Sequence, residues 1–380
     1  MIHRIFARRV REKLRKFPAV AILGPRQCGK TTLARKLGGH YFDMETLGSE
    51  VRLDAEWDQL ADGKKLVIID EAQQAPAVFS RLRGTIDADR KRNGRFLLLG
   101  SVSPVLMESV SESLAGRLGV VDMTPLILPE LKTGVMDDLW FRGGYPDGGI
   151  LDPEMYPEWQ ESYLEALVTS DLPTWGLPSR PRQTSRLLSM LAAMHGQPLN
   201  ASQIGASMAL NHKTVLSYCD FLEGAYLIRR LMPFSANIRK RLVRTPRIYW
   251  RDSGLLHALM DVADLDHLYR QPWLGQSWEG FVIEQTIASL FAAGKRMRPY
   301  FLRTSDGYEL DLVLDGGTER IAVEIKLTSN PSPAMIDRLN TTADFINATR
   351  RVLVCRIARK IETDELLVIN LPGWLKRVIG

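Results

Sequence analysis

The segment Val20-Ala-Ile-Leu-Gly24-Pro-Arg-Gln-Cys-Gly29-Lys30-Thr31-Thr32-Leu33 decides the fold of this chain. It reads as a short apolar strand, a loop bounded by two glycines, and the start of a helix. The fixed positions of the phosphate-binding pattern G-x4-G-K-[ST] are filled by Gly24, Gly29, Lys30 and Thr31. The alternative is a strand–turn–helix whose loop matches by chance, but the flanking elements are those that the pattern requires. The segment therefore predicts a nucleoside triphosphate site.

The residues of this loop have separate expected roles. Glycines let the backbone wrap around a phosphate, whose charge is met by N–H groups at the positive end of the helix. Lys30 would reach the β- and γ-phosphates, and the Thr31 hydroxyl would be a ligand of Mg²⁺. The residues expected to contact the nucleotide are Gly24, Pro25, Arg26, Gln27, Cys28, Gly29, Lys30, Thr31 and Thr32.

A second strand that ends in acidic residues follows downstream. The apolar run Leu66–Ile69 is typical of a parallel strand buried on both faces, and it leads directly into Asp70 and Glu71. Ligands of such sheets bind at the carboxyl ends of the strands. We expect Asp70 to support Mg²⁺ and Glu71 to polarise the attacking water. The alternative is that both acids only cap the helix that begins near Ala75.

Two later residues are candidates for contact with the reacting phosphate. The strand Arg95–Leu99 leads through Gly100 to Ser101, whose hydroxyl would bond the γ-phosphate or the attacking water; serine is also a common helix cap. Arg117 precedes the short strand Val120–Met123 and would neutralise charge on the transferred phosphate, within its own subunit or across a homo-oligomer. The alternative for Arg117 is a surface ion pair.

The composition is that of an ordinary globular protein. The 380 residues are 45% hydrophobic and 25% charged, enough for two or three domains. The three cysteines lack the spacing of a metal site or a disulfide framework, which favours a reducing cytoplasm. No apolar run approaches the roughly 18 residues of a membrane span, and no signal-peptide pattern opens the chain. We therefore expect a cytoplasmic protein that does not contact a membrane.

Two basic regions are candidates for nucleic-acid contact, although the net charge is only +6. Residues 2–17 predict an amphipathic helix packed on the nucleotide domain, whose basic face is either solvated or part of such a contact. The second region has no acidic residue between Gly224 and Arg251, and its cations are Arg229, Arg230, Arg239, Lys240, Arg241, Arg244, Arg247 and Arg251. We expect residues 229–251 to bind nucleic acid in a salt-sensitive manner, or to form a domain interface.

The pattern becomes helical between residues 153 and 225. Ser202–Leu210 and Lys213–Glu223 predict two short helices around a turn at Asn211, which is a helix-turn-helix arrangement. The β-like segments Tyr226–Met232 and Arg247–Trp250 would then be the wing strands of a winged helix. Winged helices also serve as protein–protein modules, so both kinds of partner stay open.

The last part of the chain predicts a carboxylate cluster. Glu279 lies within a helical apolar stripe, and an ionisable group in that position needs a partner. Asp311 lies on an alternating strand that turns back into a second strand carrying Glu324 and Lys326 on one face. Three carboxylates and a lysine would suit Mg²⁺ and metal-assisted phosphodiester hydrolysis. The alternative is an alternating strand pair with ordinary salt bridges.

The chain resembles prokaryotic AAA-type ATPases that carry a C-terminal DUF4143 domain. The resemblance rests on Leu23–Leu33, Ile69–Gln73, Leu99–Ser101, Ala115–Arg117 with Pro125-Leu126, the Gly-Gly-Tyr-Pro element in Arg142–Pro146, and Pro246–Asp252 with Gly254-Leu255. It departs from the family at Leu99, where a small or hydroxylated residue is expected. The end of the chain is similar to the PD-(D/E)xK nuclease-like fold, in which Glu279, Asp311, Glu324 and Lys326 would be the site residues.

The resemblance implies an α/β architecture in three parts. A P-loop ATPase domain with a parallel sheet is expected over residues 1–135, a helical lid and winged-helix region over 136–265, and a restriction-endonuclease-like α/β domain over 266–380. The first functional hypothesis is an ATP- and Mg²⁺-dependent ATPase that controls a nuclease-like module acting on nucleic acid. The second is an ATP-dependent regulatory switch that binds a protein partner through a non-catalytic C-terminal domain.

Overall fold

The computed structural model describes residues 2–101, 114–235 and 242–380, except for the side chain of Ser101. These residues divide into two compact units. The first comprises Met1–Leu126 with Gly224–Tyr226, and the second comprises Ile127–Glu223 with Leu227–Gly380. None of the described helices is long and apolar enough to cross a membrane.

The first unit alternates helices and strands. Its elements are α1 (Phe6–Leu14), β1 (Ala19–Gly24), α2 (Lys30–Leu37), β2 (His40–Asp43), α3 (Ser49–Asp62), β3 (Val67–Asp70), α4 (Ala77–Ala88), β4 (Phe96–Ser101) and β5 (Leu118–Asp122). Residues 224–226 belong to this unit, and the Tyr226 hydroxyl donates a hydrogen bond to Asp122.

The five strands form one parallel sheet in the order β2-β3-β4-β1-β5. All six residues of β1 and all four of β3 are buried, as expected for strands covered on both faces. The predicted P-loop-type parallel sheet is therefore confirmed. Because β1, β3 and β4 run in the same direction, Gly24, Asp70 and Ser101 come to the same edge of the sheet.

The second unit contains most of the helices. Besides the single turn Leu172–Thr174, the α-helices are α5 (Met136–Arg142), α6 (Glu158–Ala166), α7 (Pro181–Ala193), α8 (Ala201–Met208), α9 (His212–Gly224), α10 (Ser253–Leu259), α11 (Leu265–Tyr269), α12 (Leu274–Ala293), α13 (Pro333–Asp344) and α14 (Leu371–Ile379). Helices α8 and α9 match the two helices expected in the helix-turn-helix segment.

The strands of the second unit form two sheets. They are β6 (Ile228–Leu231), β7 (Arg247–Trp250), β8 (Arg298–Arg303), β9 (Glu309–Asp315), β10 (Arg320–Ile325), β11 (Arg350–Val354), β12 (Ile361–Glu362) and β13 (Leu366–Ile369). Strands β6 and β7 pair antiparallel, as expected for the wing strands, but residues 236–241 between them lie outside the described part. The winged helix stays a prediction.

The larger sheet has the order β12-β13-β11-β10-β9-β8 and mixes parallel and antiparallel pairs. Leu312 and Leu314 pack on the side of α12, whereas Val313 and Ala322 pack with residues of α13. The sequence predicts a domain boundary near residue 265, yet residues from α5, β6, β7 and α12 share one hydrophobic core. The two predicted C-terminal sections are therefore one compact unit.

Candidate functional site

The phosphate loop connects β1 to α2 and is shaped by left-handed backbone conformations. Gln27 has φ +60° and Gly29 has φ +95°, so the chain turns sharply before α2 begins at Lys30. Such conformations favour glycine at position 29. The first N–H groups of a helix have no acceptor within the helix. At the start of α2 they therefore form a site suited to an anion.

Gly24 is required by a close backbone approach. A Cβ atom at this position would lie 2.2 Å from the carbonyl oxygen of Met123. Met123 follows β5, and its N–H donates to Leu23 O at 2.7 Å. A larger residue would therefore separate β1 from the chain that leaves β5. This is a physical reason for the first glycine of the pattern.

The Lys30 ammonium group lies at the mouth of the loop. Lys30 is buried, and its Nζ atom donates to Gly24 O at 3.0 Å and to Pro25 O at 2.8 Å. These contacts satisfy a charge that would otherwise be costly to bury. They also hold the ammonium group beside the backbone that would surround a phosphate.

One carboxylate oxygen of Asp70 accepts hydrogen bonds from two hydroxyl groups. Its Oδ2 atom accepts from Thr31 Oγ1 at 2.7 Å and from Tyr41 Oη at 2.7 Å. Burial and the hydrogen bond to Asp70 raise the pKa of Tyr41 to about 12. The Tyr41 hydroxyl therefore keeps its proton at neutral pH and donates to Asp70. Tyr41 is a site residue that the sequence reasoning passed over, because it read β2 only as a strand.

Glu71 is held in an uncommon backbone conformation. Its φ is +49°, a left-handed value that non-glycine residues rarely adopt. The Glu71 N–H donates to Asp70 Oδ1 at 3.0 Å, and the Gln73 side-chain amide donates to Glu71 Oε2. Such strain concentrates at functional sites. Among the described contacts, Asp70 accepts from the Thr31 hydroxyl, whereas Glu71 accepts from the Gln73 amide.

The remaining loop residues have different environments. Cys28 is fully buried, and Arg26 forms an ion pair of 3.7 Å with Glu45. Burial, followed by the negative charge of Glu71, raises the pKa of Glu45. Glu45 is a further carboxylate near the site that the sequence reasoning did not select. Thr32 lies in the first turn of α2.

Ser101 lies where the parallel strands end, whereas Arg117 lies where they begin. Ser101 pairs with Gly24 in the β1–β4 register, so its backbone lies beside the loop. Arg117 immediately precedes β5, and its carbonyl accepts from Ala19 N at the other end of β1. Ala19 and Gly24 are the two ends of β1, which are five residue steps apart, or about 16.5 Å at roughly 3.3 Å per residue. This position does not support contact between Arg117 and a phosphate in its own subunit.

The Arg117 guanidinium is also engaged elsewhere. Its Nε and Nη2 atoms donate to the two carboxylate oxygens of Asp87, each at 2.8 Å. The hydrogen bond to Arg117 lowers the pKa of Asp87. The surface ion pair, which was the alternative interpretation from sequence, is what the structure contains. A role in charge stabilisation would require a second copy of the chain.

The residues at this edge fit a nucleotide with Mg²⁺. The start of α2 offers N–H groups, Lys30 offers an ammonium group, and Thr31 with Asp70 offers the hydroxyl–carboxylate pair that such a cation uses. Mg²⁺ usually binds through only one or two protein ligands and substrate phosphates. The chemistry of this donor set therefore suits ATP and Mg²⁺.

Four of the eight basic residues in segment 229–251 form ion pairs within the fold, whereas Arg239, Lys240 and Arg241 lie outside the described residues. Arg229 bonds Glu284 with Nη2–Oε2 3.0 Å, and Arg251 lies 3.4 Å from the same carboxylate. Arg230 pairs with Asp220 at 2.6 Å and Glu223 at 2.7 Å. Arg247 is buried and contacts carboxylates as well. The acidic partners of these four arginines come from outside the segment, and nucleic-acid contact through the segment stays a prediction.

The C-terminal cluster brings together the four predicted residues and three more. Lys326 Nζ lies 3.3 Å from Asp311 Oδ2 and 2.6 Å from Glu324 Oε1. Glu279 accepts from Arg247 at 3.2 Å and from the Tyr249 hydroxyl. Two further contacts complete the cluster: Arg247 with Glu309, and Ile325 N with Asp311 Oδ2 at 2.8 Å. The residues that the sequence reasoning missed here are Arg247, Tyr249 and Glu309.

Protonation in this cluster is strongly shifted. Burial and the charge of Asp311 raise the pKa of Glu279 and that of Glu324 to about 8. Burial lowers the pKa of Lys326, but Asp311 and Glu324 outweigh this effect and raise it above its ordinary value. Lys326 is therefore charged at neutral pH, whereas Glu279 and Glu324 hold a proton more readily than an exposed glutamate does.

The C-terminal cluster does not have the arrangement of a metal site. Within the described ranges, no group of three or more histidine, cysteine or acidic side chains is placed to hold a metal ion. The physical reason is visible in the contacts: Lys326 and a backbone N–H engage Asp311, while Arg247 and Tyr249 engage Glu279. The expected Mg²⁺ set of Glu279, Asp311 and Glu324 is thus not formed.

Fold and site together define a P-loop ATPase domain of the AAA type. Residues 16–132 match the family model described as AAA domain. Residues 134–266 match a domain of unknown function, DUF8612, and residues 274–374 match another, DUF4143. The predicted AAA-type and DUF4143 domains are confirmed, whereas the nuclease-like fold stays a prediction.

Two relatives place the chain in a family. The uncharacterized proteins Mb2031c of Mycobacterium bovis and Rv2008c of Mycobacterium tuberculosis are each 39% identical over 331 residues, or 86% of this chain and 74% of theirs. The chain belongs to the same family as these two proteins.

The solved structures that match this chain are more distant in sequence. A Walker-type ATPase of Pyrococcus abyssi is 16% identical, with a TM-score of 0.48 over 67% of this chain and 94% of that chain. AMPPCP-bound DnaA from Aquifex aeolicus is 14% identical, with a TM-score of 0.26 over 57% of this chain and 85% of that chain.

Proposed function

We propose that this protein binds ATP at the phosphate loop and hydrolyses it with Mg²⁺. The observation that carries the proposal is the 2.7 Å hydrogen bond between Thr31 and Asp70 at the mouth of the loop. It joins the two side chains that P-loop ATPases use around the cation, beside the buried Lys30 ammonium group. The match of residues 16–132 to the AAA domain supports the same activity.

Each residue would have one task in this reaction. The start of α2 and Lys30 hold the β- and γ-phosphates and balance their charge. Bound Mg²⁺ would supply further charge neutralisation, with Thr31 and Asp70 as the residues that hold it. Glu71 orients the attacking water and accepts its proton. Ser101, at the end of the neighbouring strand, is the proposed sensor of the γ-phosphate.

The direct test is ATP turnover by the full chain with and without Mg²⁺. We expect Mg²⁺-dependent release of phosphate, and we expect Lys30→Ala to lose both ATP binding and turnover. Lys36→Ala, which changes a lysine at the exposed end of the same helix, is the control and should behave as the wild type. Unchanged turnover in Lys30→Ala would contradict the assignment of the loop.

As the process that ATP hydrolysis controls, we propose the binding of a protein partner, so that the protein acts as a regulatory switch. The observation that favours it over action on nucleic acid is the neutralisation of charge in the second unit. Four arginines of the segment 229–251 are ion-paired, and the C-terminal carboxylates contact Lys326, Arg247 and Tyr249. A closed network of this kind suits a binding module better than a catalytic one.

An assay of metal-dependent nucleic-acid cleavage distinguishes the regulatory switch from the nuclease-like module. The full chain, incubated with linear DNA or RNA and Mn²⁺, should leave the nucleic acid intact at the protein concentrations that give measurable ATP turnover. Asp311→Asn and Lys326→Met should leave the ATPase rate unchanged. Cleavage that requires Mn²⁺ and disappears in both variants would show that the C-terminal domain is a nuclease instead.

A further inference from the structure

A buried arginine from the N-terminal segment contacts the phosphate loop. Arg4 precedes α1 and exposes only 8% of its surface, which is uncommon for arginine. Its Nη1 atom donates to the carbonyl of Cys28 at 2.7 Å. Its Nη2 atom donates to the carbonyls of Thr124 at 2.6 Å and Pro125 at 3.2 Å. One guanidinium group thus joins the loop to the chain that leaves β5.

These contacts begin where the sheet ends. The register of β1 with β5 ends at the pair Leu23–Asp122, and the last backbone bond joins Met123 N to Leu23 O. Beyond this point the loop leaves the sheet and turns back toward α2. The Nη1 atom of Arg4 lies 3.4 Å from the position that a Cβ would take at Gly29. The guanidinium therefore packs directly against the turn of the loop.

The contact with Cys28 has a consequence for the next residue. In a planar trans peptide unit, the carbonyl of residue 28 and the N–H of residue 29 point in opposite directions. A hydrogen bond that fixes the Cys28 carbonyl toward Arg4 therefore fixes the Gly29 N–H away from it. The planar fork of arginine can donate to two chain segments at once, which a lysine ammonium on a flexible stem does poorly.

We propose that Arg4 is a positioning residue for nucleotide binding, because it orients the peptide between Cys28 and Gly29 so that its N–H faces the phosphates. The inference rests on the proposed ATP binding and assigns part of that site to a segment outside residues 16–132 that match the AAA domain. Phe6 and Val10 of α1 are fully buried and hold this segment on the first unit.

The test compares ATP affinity in full-length variants. We expect Arg4→Met to raise the Kd for a fluorescent ATP analogue and the KM for ATP about tenfold, which corresponds to about 1.4 kcal/mol. The kcat at saturating ATP should change much less, because Arg4 touches neither the water nor the γ-phosphate. Arg4→Lys, which keeps the charge but cannot serve both segments, should raise the Kd several-fold.

Val10→Ala is the matched control. It removes buried side-chain volume from α1 and should lower thermal stability without altering the Kd. A Kd that stays at the wild-type value in folded Arg4→Met or in Arg4→Lys would overturn the inference. An equal rise in Val10→Ala would overturn it as well, since the effect would then be a loss of packing. Absence of ATP binding by the wild type would instead overturn the proposed function itself.

Discussion

At the scale of single residues, Asp70 is positioned by hydroxyl groups from two different elements. Thr31 belongs to α2 and Tyr41 to β2, and both donate to Oδ2. In the proposed reaction Thr31 holds Mg²⁺, which leaves Tyr41 as the donor that keeps Asp70 in place. Arg35 stacks on the Tyr41 ring at 4.4 Å and restrains it from the other side.

Tyr41→Phe should therefore lower the apparent affinity for Mg²⁺ and not only the affinity for the nucleotide. The variant loses one hydrogen bond to a carboxylate, worth about 1.5–3 kcal/mol when the acceptor is charged. We expect the Mg²⁺ concentration that gives half-maximal ATP turnover to rise about tenfold. Tyr218→Phe, which removes a hydroxyl that donates to Pro178 O, is the control. An unchanged Mg²⁺ titration in Tyr41→Phe would contradict this role.

Glu71→Gln should separate binding from hydrolysis. The amide keeps the size of the side chain and its bond partner Gln73 but cannot accept the proton of the attacking water. A general base contributes about 10²–10⁴-fold, so turnover should fall by at least about 100-fold while the Kd for ATP stays within a few-fold. Measurement of phosphate release and of analogue binding decides this. Normal turnover in Glu71→Gln and a loss in Glu45→Gln would transfer the role to Glu45.

The residues of the loop could be predicted because their roles are local. Gly29 and Lys30 are required by the backbone turn and the phosphate within a few residues of the chain. Arg4 and Tyr41 could not, because their partners are fixed only by the fold: Arg4 contacts residues 24 and 120 positions away, and Tyr41 one that is 29 positions away. No short pattern contains such pairs.

At the scale of elements, β7 shows what charge counting misses. The sequence correctly predicts a strand at Arg247–Trp250 and its pairing with the strand before it. Its basic character, however, follows from the absence of acids within residues 224–251, while Arg247 has its partners on α12 and β9. All four residues of β7 are buried. Burial of Arg247 therefore could not be predicted from the sequence, because its partners Glu279 and Glu309 come close only in the folded chain.

The two sequence elements that indicated the family meet in one joint. Asp252 accepts from Gly144 N at 2.8 Å and from Leu255 N at 3.1 Å. A Cβ at Gly254 would lie 2.0 Å from Arg142 O, so only glycine permits this approach of α10 to the end of α5. The Gly-Gly-Tyr-Pro and Asp-x-Gly-Leu elements are thus two halves of one packing contact.

This joint predicts a pH dependence of stability. Burial raises the pKa of Asp252 to about 6, above the value of about 3.9 in an unfolded chain. The folded state then binds the proton more tightly, so this contribution is present below about pH 4 and is lost as the pH rises through about 6. The free energy of unfolding of the wild type should lose up to about 3 kcal/mol from this group over that range.

Asp252→Asn removes this titration and is measured by denaturant unfolding at pH 4, 5, 6 and 7.5. The free energy of unfolding of the wild type minus that of the variant should fall by up to about 3 kcal/mol as the pH rises. Asp266→Asn, at an exposed position of α11, should give a difference that is small at every pH. A constant difference for Asp252→Asn would mean that this carboxyl does not titrate abnormally in the folded protein.

At the scale of the whole molecule, the order of elements was more predictable than their grouping. The resemblance predicts a boundary near residue 265, and the family models also divide the chain there. The structure nevertheless buries Trp140, Tyr249 and Trp278 in one core. A pattern of apolar residues shows which face of an element is buried but not which other element covers it. The merging of two sections therefore could not be predicted.

Binding of nucleic acid by the full chain is the last test of the output. Of the eight basic residues in segment 229–251, four are ion-paired; the others are Arg244 and the three at positions 239–241, which lie outside the described residues. We expect phosphate contact from at most these other four. Each phosphate contact contributes about −0.9 to the slope of log K against log salt concentration, so this segment supports a slope no steeper than about −4. The measurement is a salt titration of the affinity for duplex DNA by fluorescence anisotropy.

Two variants test which arginines contact phosphates. Arg229→Gln, which breaks the pair with Glu284, should lower stability and leave the slope unchanged, whereas Arg244→Gln should reduce any slope by about one. A steeper slope that falls in Arg229→Gln would show that the paired arginines do meet phosphates, and it would restore nucleic acid as the partner.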